Sequence, residues 1–237
     1  MSERFYLPAP LDRPEVTLSG SEAHHLAHVL RVTAGATVQL FDGEGAEAVA
    51  EVLSVTKREV TLRPRSITRE DEPSLRITIA VAPPKGDRFR WLVEKTTELG
   101  VARLIPLLTR RTVVDPRESK LDKLRQTMIG ACKQCGRSRL MELTEPVRFE
   151  TLLATDAAQE LFLLLHPSGT KLSLASSEYQ AAGGITLLIG PEGGFTDEEL
   201  EKARERGIAI AALGRTILRT ETAAIAAAAV AMQSLDF

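Results

Sequence analysis

Residues 185–200 read ITLLIGPEGGFTDEEL, and this stretch decides the fold class. Ile185 to Ile189 is a short, nearly continuous apolar run, the pattern of a strand inside a sheet covered on both faces. A glycine-rich loop, Gly190-Pro191-Glu192-Gly193-Gly194, follows it, and Thr196-Asp197-Glu198-Glu199 is a capping box that opens a helix. The same order recurs on either side. Strands are expected over 77–81, 101–108, 161–165 and 208–213. A helix is expected over 87–99, with Phe89, Leu92, Val93 and Thr96 inward and Gly100 as its stop. Ser119 is expected to cap a helix that carries Cys132 and Cys135, and a last helix runs from about 221 to 234. Strand alternating with helix predicts an α/β domain, a largely parallel sheet with helices on both faces.

Upstream the rhythm differs. In the first 68 or so residues, short strand-like runs surround one helix over 21–31, whose Ala23, Leu26, Ala27 and Leu30 share a face. Asp42-Gly43-Glu44-Gly45 is a turn signal between strands. This reads as a small β-barrel with an inserted helix. The polar stretch ITREDEPS, 67–74, reads as a linker, so two domains are expected, over 1–70 and 75–237.

Composition narrows the function classes. Hydrophobic residues make up 43% and charged residues 26%, too apolar for a disordered chain. The start shows no export signal, and the longest low-polarity stretch, 223–232, is half of the roughly 20 residues that a spanning helix needs. A cytoplasmic protein without membrane contact is expected. The net charge of −2 is unevenly spread: residues 103–139 hold ten basic against three acidic residues, and residues 140–214 five against twelve. One surface can therefore be cationic in a near-neutral chain, although helices also carry solvated Lys and Arg.

Cys132 and Cys135 have C-x-x-C spacing, but they continue a helical stripe with Leu121, Leu124 and Met128, and no second pair of ligands accompanies them. Structural cysteines are the stronger reading. His24, His25 and His28 lack a partner set, and no metal site is expected.

Ligands in such sheets bind where strands end, so the loops beginning at Leu165, Ile189 and Leu213 are the candidate site. GPEGG is neither a Walker loop nor a G-x-G-x-x-G fingerprint, so no nucleotide phosphate is predicted there. Its glycines let backbone groups approach a ligand and read an adenine edge, or they simply make the turn. His166 before Pro167 reads as a general base or, more simply, as a loop residue.

With those residues in view, IGPEGGFTDEEL (189–200) and LGRTILRTETAA (213–224) resemble the two signature segments of the RsmE family, the 16S ribosomal RNA uridine N3-methyltransferases. The resemblance extends in order to His28-Val29-Leu30-Arg31, Phe41-Asp42-Gly43, Glu94-Lys95, Glu98-Leu99-Gly100 and residues 131–137, ACKQCGR, and so covers nearly the whole chain. It implies a SPOUT-type α/β domain with a C-terminal trefoil knot, preceded by a PUA-like β-barrel that helps hold RNA. It also implies a homodimer formed through the knotted domain, 16S rRNA or the small ribosomal subunit as partner, and S-adenosylmethionine as cofactor. Carried over by position, the cofactor shell is Leu165 and His166; Ile189, Gly190, Pro191, Glu192, Gly193 and Gly194; and Leu213, Gly214, Arg215, Ile217, Leu218, Arg219, Thr220, Thr222 and Ala223.

For catalysis, uracil N3 must lose its proton before or during attack. Arg219 is the first candidate, stabilising the developing anion or gripping a phosphate, and Glu221 can accept the proton; both can instead serve the start of the last helix. Candidate RNA contacts are Arg31, Lys57, Arg58, Arg63 and Arg65 in the first domain, with Arg110, Arg111, Lys133, Arg137 and Arg139 beyond it. Three alternatives stay open: another SPOUT enzyme acting on transfer RNA or a ribose 2'-hydroxyl, a non-catalytic RNA-binding assembly factor, and a small-molecule α/β enzyme.

Overall fold

The computed structural model describes residues 3–71, 73, 75–116, 118–155, 160–172, 174 and 183–233, with the backbone alone at 118 and 119. Five strands come first: β1 (Arg4–Tyr6), β2 (Val16–Ser19), β3 (Thr37–Phe41), β4 (Ala46–Val55) and β5 (Glu59–Arg69). They lie in the order β1-β3-β4-β5-β2. Period-two burial sends Ala46, Ala48, Ala50 and Val52 of β4 inward, where they meet Phe5, Leu18, Leu26, Leu40 and Leu62. β5 runs to Arg69 because Ile67, Thr68 and Arg69 pair with Ala48, Glu47 and Ala46, so the first part of the expected linker is strand. Ser74, its last residue, lies outside the described residues.

The expected single helix over 21–31 is two pieces. α1 (Gly20–His24) passes into a π-helical turn over His25–Val29, whose wider winding joins the Leu30 N–H to the His25 carbonyl. Ala23 and Leu26 stay buried, and Ala27 and Leu30 are half-buried. Arg31 then reverses the chain in the left-handed region, with φ of 54°.

The division into two units does not follow the sequence in one cut. Residues 1–72 form the first unit together with 129–140, and 73–128 with 141–237 form the second. Within the first, the end of α3 (Glu118–Cys135) and the segment after it are tied to the sheet. Arg4 donates to the Gly136 carbonyl and to Ser138 Oγ at 2.8 Å, and the Leu140 N–H donates to the Gly43 carbonyl at 2.9 Å. α3 begins at Glu118, which places Ser119 inside its first turn rather than at the cap. Cys132 is buried and Cys135 is exposed, so Cys135 departs from the expected stripe; it is the last residue of the helix.

In the second unit every strand pair is parallel. The strands are β6 (Arg76–Val81), β7 (Arg103–Leu108), β8 (Glu142–Leu143), β9 (Val147–Arg148), β10 (Glu160–Lys171), β11 (Gly184–Ile189) and β12 (Ala209–Ala212). The order is β12-β10-β11-β6-β7-β8, with β9 also on β7. All of β11 is buried, and Thr186 beside Thr78 of β6 would leave two hydroxyls in an apolar interior. Glu160 of β10 accepts from both, at 2.5 and 3.2 Å.

The helices are α2 (Arg88–Glu98), α4 (Phe149–Leu153), α5 (Asp197–Glu205) and α6 (Thr220–Met232). The capping box is present as read: Thr196 Oγ1 accepts the Glu199 N–H, and the Glu199 carboxylate accepts the Thr196 N–H at 2.8 Å. That carboxylate, almost wholly buried, also accepts the Arg110 N–H at 2.9 Å, which fixes the loop after β7 against α5. α6 buries Ala224, Ala227, Ala228 and Ala231, side chains small enough for close approach, and lies on α2, β6 and β11. Ser234, the expected last residue of this helix, lies outside the described residues.

Candidate active site

Three chain segments meet at the carboxyl ends of β10, β11 and β12 and enclose a cavity of about 250 Å³. The first is not a strand-end loop but a bulge within β10. Leu165 and Thr170 both pair with Ala211, so residues 166–169 loop out of the ladder. Gly169 lies flat on β12: a Cβ there would stand 2.6 to 2.7 Å from the Ala211 backbone. In the bulge, the Ser168 N–H donates to His166 Nδ1 at 3.2 Å, and Ser168 Oγ is 2.8 Å from the same nitrogen. Nδ1 is thus an acceptor, and the neutral ring carries its proton on Nε2.

The second segment is the loop after β11. It closes on itself through the Gly194 N–H and the Pro191 carbonyl at 2.8 Å, with Gly194 at φ of 68°. Gly190 is bare because the Phe195 ring lies about 3 Å from where its Cβ would be, and Phe195 packs on Phe149. From outside, Arg111 Nη1 donates to the Gly193 carbonyl at 2.6 Å. The third segment runs from Ala212 into α6, where Thr220 Oγ1 donates to the Gly190 carbonyl at 3.2 Å and ties two walls together.

Of the expected cofactor shell, Leu165, His166, Ile189, Gly190, Pro191, Glu192, Gly193, Gly194, Leu213, Gly214, Ile217, Leu218, Thr220 and Ala223 line this cavity. Pro167, Phe195, Ala212 and Thr216 join them. Arg215 and Arg219 are exposed and line no part of it; nor does Thr222. Among the described lining residues there is no Lys or Arg, and the walls are mostly apolar side chains and glycine-rich backbone, with His166, Glu192, Thr216 and Thr220 as the polar side chains. Such a lining suits a nucleoside and supplies no cationic side chain to a phosphate.

Arg219, Glu221 and Thr222 instead line a neighbouring open cleft with Asp87, Arg88 and Trp91. Successive residues of the first turn of α6 thus serve both spaces, Thr220 and Ala223 the cavity and the other three the cleft. Glu221 is only 5% exposed; its Oε1 lies 3.7 Å from Arg88 Nε, and its buried Oε2 has no hydrogen-bond partner among the described residues. Arg88 also lies 3.8 Å from Glu192 of the cavity wall. Asp87, Arg88 and Trp91 are absent from the sequence-based expectations, although Ala82-Pro83-Pro84-Lys85-Gly86-Asp87-Arg88 directly follows β6 and the strand-end rule applies to it as well.

The basic candidates separate into engaged and open side chains. Arg63 pairs with Glu15 at 3.1 Å, Arg65 with Glu51 at 2.7 Å and Arg110 with Glu198 at 3.5 Å. The Arg65 guanidinium holds the Glu51 carboxyl below its ordinary range. Lys133 binds Glu22 at 2.9 Å and sits over the Phe5 ring. Arg139 reaches the Glu70 carbonyl, and burial draws the pKa of Arg137 below its usual value. Arg31, Lys57 and Arg58 are exposed, the last two in the turn between β4 and β5, where the Lys57 carbonyl is 3.5 Å from His28 Nε2. The described residues contain no cluster of metal-ligating side chains.

The sequence matches the RNA methyltransferase domain family over residues 70–232 and the PUA domain of RNA methyltransferases over 18–65. Fold and matches together define the class, a methyltransferase domain of the RNA-modifying kind joined to a PUA domain. The relatives are specific. Ribosomal RNA small subunit methyltransferase E of Synechocystis sp. PCC 6803 is 31% identical over 91% of this chain and 72% of its own length. Its namesake from Bacillus subtilis is 30% identical over 90% and 87%. The crystal structure of ribosomal RNA small subunit methyltransferase E from Neisseria gonorrhoeae bound to S-adenosyl methionine superposes with a TM-score of 0.89 at 31% identity, covering 99% of this chain and 98% of that one. The chain belongs to the ribosomal RNA small subunit methyltransferase E family.

Proposed function

We propose that this protein transfers the methyl group of S-adenosylmethionine to N3 of a uridine in the 16S rRNA of the small ribosomal subunit. The observation that carries the reading is the cavity itself: largely apolar and glycine-rich walls without Lys or Arg, suited to an adenosine, adjoining a cleft with a buried carboxylate and two arginines. The cofactor supplies an electrophilic methyl on a sulfonium sulfur and leaves as a neutral thioether, so the chain's task is to align nucleophile and donor and to handle one proton. Leu165, Gly190, Leu213 and Leu218 hold the cofactor, with Thr220 keeping two of the loops in register. Glu221 takes the N3 proton, and Arg219 offsets the negative charge that develops on the base.

Residues 1–70 serve as an RNA-binding domain of PUA type, and residues 75–237 as the catalytic domain. In the latter, α6 returns from the edge strand β12 to lie on β6 and β11 at the middle of the sheet, a path that suits a trefoil knot. The protein works in the cytoplasm as a homodimer joined through the catalytic domains. No helix among the described residues is long and apolar enough to cross a membrane.

The test is transfer of labelled methyl to small subunits that lack the modification, followed by nucleoside analysis. Labelled 3-methyluridine is expected. Another methylated nucleoside would replace the substrate assignment, and S-adenosylmethionine binding without transfer would make the protein a non-catalytic RNA-binding factor.

A further inference from the structure

We infer that the cleft beside the cofactor cavity is the binding site for the extruded target uracil, with Trp91 as its stacking surface and Arg88, Glu221 and Arg219 reading its pairing edge. This rests on the methyl transfer proposed above and adds which groups recognise the base.

The argument starts from an orphan. Glu221 is buried at 5% exposure, yet Oε2 has no hydrogen-bond partner among the described residues, an arrangement costly to leave unmade. Its other oxygen is held by Arg88, which is itself steadied by Glu192. The Glu221 carboxylate thus lines the cleft together with two guanidinium groups, Arg88 and Arg219, and with Asp87. The cleft therefore offers both donors and an acceptor. The pairing edge of uracil presents two acceptors, O4 and O2, that suit guanidinium groups and one donor, N3–H, that suits a carboxylate, whereas cytosine places an unprotonated N3 against the carboxylate and is repelled.

The second observation is Trp91. It is the only tryptophan in the chain, and it stands on α2 at 46% exposure among the residues that line the cleft. An exposed indole beside paired charges is the surface on which an unstacked base can lie, and enzymes that modify a pairing edge must first take the base out of its stack. The first turn of α6 then sets the distance between the two ligands, since Thr220 and Ala223 face the cofactor cavity and Arg219 and Glu221 face the cleft.

The test uses the full chain with S-adenosylmethionine and small subunits lacking the modification, comparing wild type with Trp91→Ala, Trp91→Phe and Glu221→Gln. Calorimetry of S-adenosylmethionine binding and sedimentation of each variant run alongside. Trp91→Ala is expected to raise KM for the subunit about tenfold, with cofactor affinity and oligomeric state unchanged, and Trp91→Phe to restore most of the loss. Glu221→Gln is expected to lower kcat by about 100-fold, with KM little changed. If wild type forms 3-methyluridine and Trp91→Ala retains its KM, the stacking assignment fails while the methyl transfer stands. A Trp91→Ala defect that follows lost cofactor affinity or a changed oligomeric state overturns it equally, by placing Trp91 in the cofactor site or an interface. If wild type methylates a different nucleoside, the uridine assignment proposed above falls and the uracil site with it.

Discussion

Arg111 Nη1 donates to the carbonyl of Gly193 at 2.6 Å, so a side chain from the loop after β7 holds the glycine-rich loop after β11 from behind. The charge of Arg111 is committed to the cavity wall. Arg111→Ala should therefore weaken S-adenosylmethionine binding by about tenfold, the worth of one charge-assisted hydrogen bond. Calorimetry checks this. Unchanged affinity together with a shallower salt dependence of RNA binding would make Arg111 a phosphate contact instead.

Arg219 lies in the cleft and not in the cavity wall, so its loss should separate catalysis from cofactor binding. Arg219→Ala should lower kcat by about 100-fold, comparable to removing one stabilising donor from an anionic transition state. The Kd for S-adenosylmethionine should stay within about twofold of wild type on the same scale. Turnover at the wild-type rate removes Arg219 from the mechanism.

Gly169 permits the bulge that carries His166. A methyl group there would sit 2.6 to 2.7 Å from the Ala211 backbone, which has no flexible end to move aside. Gly169→Ala should cost about 1–3 kcal/mol in urea unfolding through overpacking, and should weaken cofactor binding as well, because the bulge forms one wall. A variant with wild-type stability and affinity would show that β10 and β12 part easily.

Burial pushes the Cys132 thiol up to about 12, whereas Cys135 is exposed. At pH 8 iodoacetamide should modify Cys135 and spare Cys132 until the chain unfolds, as peptide mapping would show. The unfolded thiol ionises near its usual value of 9 and the folded one only near 12, so the unfolded state holds fewer protons between them. The contribution of Cys132 to stability is complete below pH 9 and declines above it, by up to about 1.4 kcal/mol per pH unit. Rising stability from pH 9 to 11 would contradict this.

In the first unit, Arg31, Lys57 and Arg58 are exposed basic candidates, whereas the exposed Arg65 is paired with Glu51 and Lys133 is occupied by Glu22 and Phe5. Neutralising the three together should reduce the slope of log K against log salt for RNA binding by about 2–3. Lys133→Ala should leave that slope alone and lower stability. The opposite pattern would move the RNA contact to the end of α3.

Much was legible in the sequence because the signals were local. Apolar runs of strand length, Gly100 as a stop and the Thr196 and Glu199 pair each act within a few residues, and each appears in the structure as read. The resemblance of 189–200 and 213–224 to a family likewise needed no coordinates. Local pattern also misled where pairing overrode polarity: the charged stretch after Ile67 begins as strand because β4 lies beside it, and the helix ending near Arg31 widens into a π turn.

What only the tertiary structure decided are relationships between residues far apart in the chain. Arg111 and Gly193 are 82 positions apart, and Arg88 and Glu221 lie on different helices. The split of the first turn of α6 between cavity and cleft depends on how that helix lies over α2, β6 and β11. By itself the sequence determined the fold class and the loops after Ile189 and Leu213, since those follow from short-range periodicity and turn chemistry, whereas the segment after Leu165 became a bulge within β10 through its pairing with β12. Which arginine holds a loop, which carboxylate is left without a partner and which aromatic stands beside it follow from packing, because burial and pairing are properties of neighbours in space and not of neighbours in the chain.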